Sequence, residues 1–231
     1  MGSDDLHKKN KRGRQQRKET HIEMLPLRYL IVCEGEKTEP NYFIGLSKPI
    51  EDKFRKENRE FVKIIKSSEF KNFINIEGTG RNTESLVNLC IQLKKKATIP
   101  FGSVWVVFDK DSFSDEQFEN AIKGAEENNI SVAWSNEAIE LWFLLHFEYL
   151  NSAITREQYS EKLDIYFSRL NINNGKYEKN LKNIYELLNQ YGNSKNAIKF
   201  SKKLLDNQLK TSNNNPATTV FQLVEELENL K

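Results

Sequence analysis

The chain has 231 residues, 38% of them hydrophobic and 29% charged, with 35 basic and 33 acidic side chains and a formal net charge of +2. That length suits one large domain, or one domain with a smaller appended piece, and the near balance of charge excludes a global electrostatic pull towards nucleic acid. Two cysteines, Cys33 and Cys90, exclude a disulfide scaffold or a cysteine-rich zinc site, and no apolar run approaches the roughly 20 residues a membrane helix requires.

The longest apolar run, 138–147, is interrupted by Glu140. With the cysteines falling in stretches that read as buried, these features predict a cytoplasmic protein without membrane association.

Residues 1–27 form a basic leader, with Lys8, Lys9, Lys11, Arg12, Arg14, Arg17 and Lys18 crowded together. Such an arm attaches to phosphate backbones, or is a disordered, solubilising leader; composition leaves both open. The run 28–33 is apolar without alternation, the pattern of a central parallel strand buried on both faces. Thr38-Glu39-Pro40 then predicts a helix start, with a capping threonine and an early proline, and Tyr42, Phe43 and Leu46 turned inward. Residues 47–72 are highly charged, and 61–65 reads equally as a strand or a helix end.

A second strand is predicted over 72–77, closed by Gly78-Thr79-Gly80. A helix follows over 83–96, with Leu86, Leu89, Cys90 and Leu93 at helical spacing. The wholly apolar stretch 103–108 is a third strand ending on Asp109-Lys110-Asp111. A helix over 114–128, a fourth strand over 130–134 and an apolar helix over 137–146 complete the series. Strands alternating with helices at these lengths predict an α/β fold with a parallel-sheet core and helices on both faces. Beyond residue 149 strand signals vanish. Amphipathic helices are predicted over 155–170, 177–191, 194–209 and 217–230. The organisation is therefore a leader over 1–27, an α/β core over 28–150, and a C-terminal helical region over 151–231 packed on that core. The many lysines of this last region, among them Lys176, Lys179, Lys182, Lys199 and Lys203, read first as solvated helix faces.

Three acids stand where parallel strands end: Glu34 after the first, and Asp109 and Asp111 after the third. Neighbouring strands lie about 4.8 Å apart, so acids at adjacent carboxyl ends converge. Clustered carboxylates raise one another's pKa unless a cation offsets the charge. Oxygen-only ligands suit Mg²⁺ or Mn²⁺, the ions of phosphoryl and phosphodiester chemistry. The plainer alternative is a turn at Asp-x-Asp and a capping glutamate. Lys37, Lys110 and Arg81 are candidate phosphate contacts, and Gly35 permits close approach of backbone or phosphate. Asn136 caps the following helix or lines the site. Glu140, buried in an apolar helix, needs a partner or a metal, and His146 reads as structural before catalytic. Gly35-Glu36-Lys37-Thr38 lacks the glycines of a phosphate-binding ATPase loop, which excludes that reading.

The Glu-Gly on one strand and Asp-x-Asp on a later one resemble the Toprim domain, the metal-binding module of topoisomerases, bacterial primases and several nucleases. More closely, IVCEGEKTEPNYF, then GTG, VWVVFDKDSF, SNEAIELWFLLHFE and the late NNNPATTVFQLVEEL resemble the RloB family from residue 28 onwards. Glu137 stands where the family pattern has proline. The resemblance implies a Toprim-like core and a role in anti-phage defence beside an ABC-type ATPase partner. It also implies Glu34 as general acid/base and metal ligand, with Asp109 and Asp111 holding Mg²⁺. The expected activity is metal-dependent cleavage of nucleic acid, with transfer RNA, other RNA or DNA as the substrate. The alternative is a non-catalytic binding or regulatory subunit of the same system. A phosphatase with Asp109 as nucleophile and Asp111 as acid is a third reading, disfavoured because such enzymes carry the Asp-x-Asp on an early strand.

Overall fold

The computed structural model describes residues 28–59, 72–110, 114–211 and 215–231. The basic leader, the ambiguous stretch 61–65 and Asp111 lie outside the described residues. The elements run β1 (Arg28–Cys33), α1 (Thr38–Glu57), β2 (Ile74–Gly78), α2 (Thr83–Lys96), β3 (Phe101–Asp109), α3 (Asp115–Glu126), β4 (Ser131–Asn136), α4 (Glu140–Leu144), α5 (Arg156–Arg169), a short 3₁₀ turn (Asn173–Gly175), α6 (Ile184–Tyr191), α7 (Ser194–Thr211), β5 (Ala217–Thr218) and α8 (Val220–Glu228).

The sheet order is β2-β1-β3-β4-β5. β1 pairs in parallel with β2 and β3, and β3 with β4, while β5 runs antiparallel to β4. Every residue of β1 is buried, as its lack of alternation requires for a strand covered on both sides. Tyr29, Ile31 and Cys33 face one layer, built from α1 and the C-terminal helices. Leu30 and Val32 face the other, with Leu86, Val87 and Cys90 of α2 and Phe118, Ala121 and Ala125 of α3. The first of these cores crosses residue 150 without a break: Tyr42, Phe43 and Trp142 share it with Tyr159, Leu163, Phe167 and Leu223.

Local chemistry sets the helix starts. The Asn82 side chain accepts from the Ser85 N–H ahead of α2, and Ser114 with Gln117 forms a capping box on α3. A second capping box, Thr155 with Gln158, opens α5. Thr38 departs from expectation. Lys37 is the N-cap of α1, without a side-chain cap, and the Thr38 hydroxyl donates instead to the Lys179 carbonyl.

The C-terminal half differs from its predicted pattern in three places. Strand structure does not end at residue 149: Ala217–Thr218 adds β5, with Thr219 N–H donating to the Trp134 carbonyl at 2.8 Å. Thr219 Oγ1 in turn accepts from Trp134 N–H at 2.9 Å, so threonines blunt the β4 edge. The helix expected over 177–191 covers only Ile184–Tyr191. The apolar helix expected over 137–146 shrinks to Glu140–Leu144. Three-residue backbone bonds at both its ends, Leu141 to Ala138 and Phe147 to Leu144, replace further α-helical turns.

Candidate active site

Two of the three predicted acids meet at the carboxyl edge of the sheet. β1 and β3 are neighbours with Cys33 opposite Val107, so the residues that follow project from one place. Glu34 N–H donates to the Val107 carbonyl at 2.9 Å, and Glu34 Oε2 accepts from Asp109 N–H at 3.2 Å. The Gly78-Thr79-Gly80 segment secures this turn from the other side. Gly80 N–H donates to the Glu34 carbonyl at 2.8 Å, and the Thr79 hydroxyl donates to the Cys33 carbonyl at 3.0 Å. The glycine-containing segment thus serves here as a backbone clamp on the Glu34 turn.

Two further acids close on the pair from beneath. Glu39, in the first turn of α1, is 5% exposed, and Glu140, the first residue of α4, is 3% exposed. The Glu39 carboxylate accepts from the N–H groups of Gly35 and of Glu39 itself. A Cβ at position 35 would lie on top of that carboxylate, so glycine is what permits the approach. Glu140 Oε1 accepts from the Tyr177 hydroxyl at 3.0 Å, the partner that a buried acid in an apolar segment requires.

A cation answers these acids. Arg156, at the start of α5, donates from Nη2 to Asp109 Oδ2 at 2.9 Å. Its own N–H donates to Glu137 Oε2 at 3.1 Å, which ties the N-terminus of α5 to the end of β4. Burial pushes the Asp109 carboxyl well above its usual range. The charges of Glu39 and Glu140, and less strongly Glu34, add to this, and Arg156 partly opposes it. Glu39 is pushed up too, by burial first and by Glu140, with backbone N–H groups and Arg156 opposing. The Arg156 guanidinium therefore acts on both Asp109 and Glu39.

The remaining predicted residues separate. Lys37 and Arg81 are exposed on the segments that flank Glu34. Lys110 turns away: its ammonium pairs with Asp115 and lies 5.1 Å from the Phe118 ring centre, a role at the start of α3. Asn136 is buried at the end of β4, opposite Ala217, and its peptide bond to Glu137 is cis. His146 is 4% exposed. Its Nδ1–H donates to the Trp142 carbonyl at 2.9 Å, and its carbonyl accepts from Asn193 N–H at 2.9 Å, so it joins α4 to the turn before α7.

Glu39, Glu137, Arg156 and Tyr177 are the residues that local pattern did not single out. Glu39 carried a signal, an acid in a first helical turn, but that signal is satisfied equally by capping. Arg156 and Tyr177 carried none, because 47 residues separate Arg156 from Asp109.

Among the described residues no group of three or more His, Cys, Asp or Glu side chains is spaced to hold a metal ion. The donors present are nonetheless all carboxylate oxygens in excess over cationic groups, the chemistry that suits a hard divalent cation. Against known proteins, the model of a family described as RloB-like protein matches residues 29–227. The chain belongs to the RloB-like family. That match spans β1 to α8 and so takes in Glu34, Glu39, Asp109, Glu140, Arg156 and Tyr177. No curated protein and no solved structure matches.

Proposed function

We propose that this RloB-like chain is a metal-dependent nuclease acting on nucleic acid, RNA and transfer RNA included, as the toxic effector of an anti-phage defence system with an ABC-type ATPase partner. The observation that carries the reading is the joining of Glu34 to Asp109 across adjacent parallel strands, with the charges of Glu39 and Glu140 acting on Asp109 and the Arg156 guanidinium paired with it. Carboxyl edges of parallel strands are where open α/β sheets bind ligands. The defence role and the ATPase follow from family resemblance.

Glu34, Asp109 and Asp111 would hold Mg²⁺ or Mn²⁺. When bound, such an ion orients a phosphate, neutralises its developing charge and lowers the pKa of a ligated water. The protein groups do the rest. Glu34, half-buried at the solvent side of the cluster, is the general acid/base. Arg156 holds Asp109 in place through its Oδ2. Glu39 and Glu140, both buried, add negative charge around Asp109, a load that a bound cation would relieve. Tyr177 fixes Glu140 so that this charge has one geometry.

The replacement Glu34→Gln is expected to abolish Mg²⁺-dependent cleavage and cellular toxicity while leaving thermal unfolding unchanged. Cleavage retained by this variant overturns the assignment. Sequencing of RNA ends after expression with the ATPase partner under infection then sets the substrate: new ends in transfer RNA identify it, and intact RNA redirects the assignment to DNA.

A second reading, a non-catalytic subunit that binds the ATPase or nucleic acid, is favoured by one observation: Arg156 already pairs with Asp109. Calorimetric titration with Mn²⁺ separates the two. Binding that is lost in Glu34→Gln supports the nuclease, and absence of binding in the native chain supports the subunit.

A further inference from the structure

The segment 176–182, expected to be helical from 177 onwards, is instead strapped across the start of α1. The Thr38 hydroxyl donates to the Lys179 carbonyl, and Asn41 Nδ2 donates to the Asn180 carbonyl at 3.1 Å. At its beginning, Tyr177 N–H donates to Asp164 Oδ1 at 2.6 Å and the Tyr177 hydroxyl reaches Glu140. The strap is therefore bonded to the same helix start that carries Glu39, and to the acid cluster itself. Its backbone and its tyrosine face inward. Lys176, Lys179 and Lys182 are left exposed.

Lys37 stands beside them, exposed, one residue before the Thr38 hydroxyl that holds Lys179. The Lys179 ammonium acts on Glu157, the chain neighbour of the Arg156 that holds Asp109. Among the described residues Lys37, Lys176 and Lys182 form no ion pair with a carboxylate, unlike Lys202 with Glu225 at 2.6 Å and Lys162 with Glu148 at 2.7 Å. An acidic centre thus has a rim of ammonium groups whose backbone is held by structure rather than by their own charge. A lone anion gains little from such an arrangement in water. A polyanion gains at every contact, because each neutralised phosphate releases condensed counterions.

We propose that Lys37 and the 176–182 strap form a track for the sugar–phosphate backbone of a nucleic acid strand, laid so that Lys37 and Lys179 hold phosphates flanking the one presented to Glu34 and Asp109. The contacts are to backbone and carry no base preference. The inference rests on the reading of the carboxyl edge as a nucleic-acid site, and it extends that site to a part of the chain beyond the sheet.

The test measures fluorescence anisotropy of a labelled single-stranded RNA on the full-length protein in EDTA, where cleavage plays no part, across a salt series. Lys37→Ala with Lys179→Ala is compared with Lys95→Ala with Lys96→Ala. The latter pair is exposed at the C-terminus of α2, which leads back to the amino edge of the sheet. The first pair is expected to weaken binding about tenfold and to flatten the salt slope by about one unit per lysine; the second is expected to change neither. Equal effects from both pairs, no effect from the first, or no RNA binding by the native chain overturns the track. Should the native chain bind through Lys37 and Lys179 yet cleave nothing with Mg²⁺ or Mn²⁺, the nuclease assignment falls and the track stands. Should it cleave while Lys37→Ala with Lys179→Ala binds unchanged, the track falls and the nuclease assignment stands.

Discussion

At the level of single residues, Asp109 is under the greatest electrostatic load. Its side chain is 14% exposed and bonded to a guanidinium that is 31% exposed, so solvent screening is limited. Replacing Arg156 by alanine leaves Asp109 facing Glu39 and Glu140 without its guanidinium partner. We expect a loss of about 1–3 kcal/mol by urea denaturation, below the full cost of breaking a buried pair because water still reaches the site. Adding Asp109→Asn to Arg156→Ala is expected to restore most of that loss, and a double-mutant cycle checks it: additive losses would exclude the coupling. Tyr177→Phe removes the donor to Glu140 and is expected to cost about 1–3 kcal/mol, the penalty for an unsatisfied buried acceptor. Glu140 was legible as an anomaly, an acid inside an apolar run. Its partner was not, because Tyr177 lies 37 positions away in a segment whose composition reads as helix.

Elements matter here mainly through where they end. β1 delivers Glu34 because its apolar run stops there, and the Gly78–Gly80 segment holds the turn that results. A Cβ at Gly78 would stand 2.7 Å from the Glu36 carbonyl oxygen and 2.9 Å from that of Gly35, and neither backbone atom can swing aside as a flexible side chain does. Gly78→Ala is therefore expected to displace the Glu34 turn, costing about 1–3 kcal/mol and reducing any Glu34-dependent cleavage more than tenfold. Serine or alanine at Gly124, where nothing lies within 4 Å, is expected to leave both unaffected. Relative activities and melting points of the two variants provide the comparison. Apolar spacing made α2, α3 and α5 readable to within about two residues, and the capping side chains of Asn82, Ser114 and Thr155 stand at their starts. The stretch 177–183 misled because its helical spacing was real but its carbonyls had better acceptor roles against Thr38 and Asn41 than within a helix.

For the whole molecule, the continuous core from α1 through α8 means that sheet and helical layer unfold together. His146 reports on this. It is buried between α4 and the turn before α7, and burial lowers its pKa from 6.5 to about 4. In the unfolded chain the imidazole gains a proton as pH falls through 6.5, whereas the folded chain refuses it until about pH 4. The stability contribution of the neutral ring is thus fully present above pH 6.5, declines between 6.5 and 4 at up to about 1.4 kcal/mol per pH unit, and levels off below that. Unfolding free energies at pH 7 and pH 5 for the native chain and for His146→Gln are expected to converge as pH falls. A constant difference between them would exclude this origin. No helix of the described residues is long and apolar enough to cross a membrane, and burial of large apolar side chains such as Phe43, Phe143 and Phe167 supplies about 1.5–3 kcal/mol each towards this single core.

By itself the sequence determined the parallel core and the place of its acids. Unalternating strands must be buried on both faces, and a run that stops at Glu34 or Asp109 must leave that residue at an edge. Those are local consequences of period and length. Only the tertiary structure decided the company the acids keep. Glu39 joins them because α1 folds back over Gly35, and Arg156 and Tyr177 join because the helical layer packs its first turn and its strap against the same edge. Lys110 leaves them because Asp115 and Phe118 lie closer. Such choices depend on which of several satisfactory partners the packed chain brings within hydrogen-bonding distance, and no spacing along the sequence encodes that.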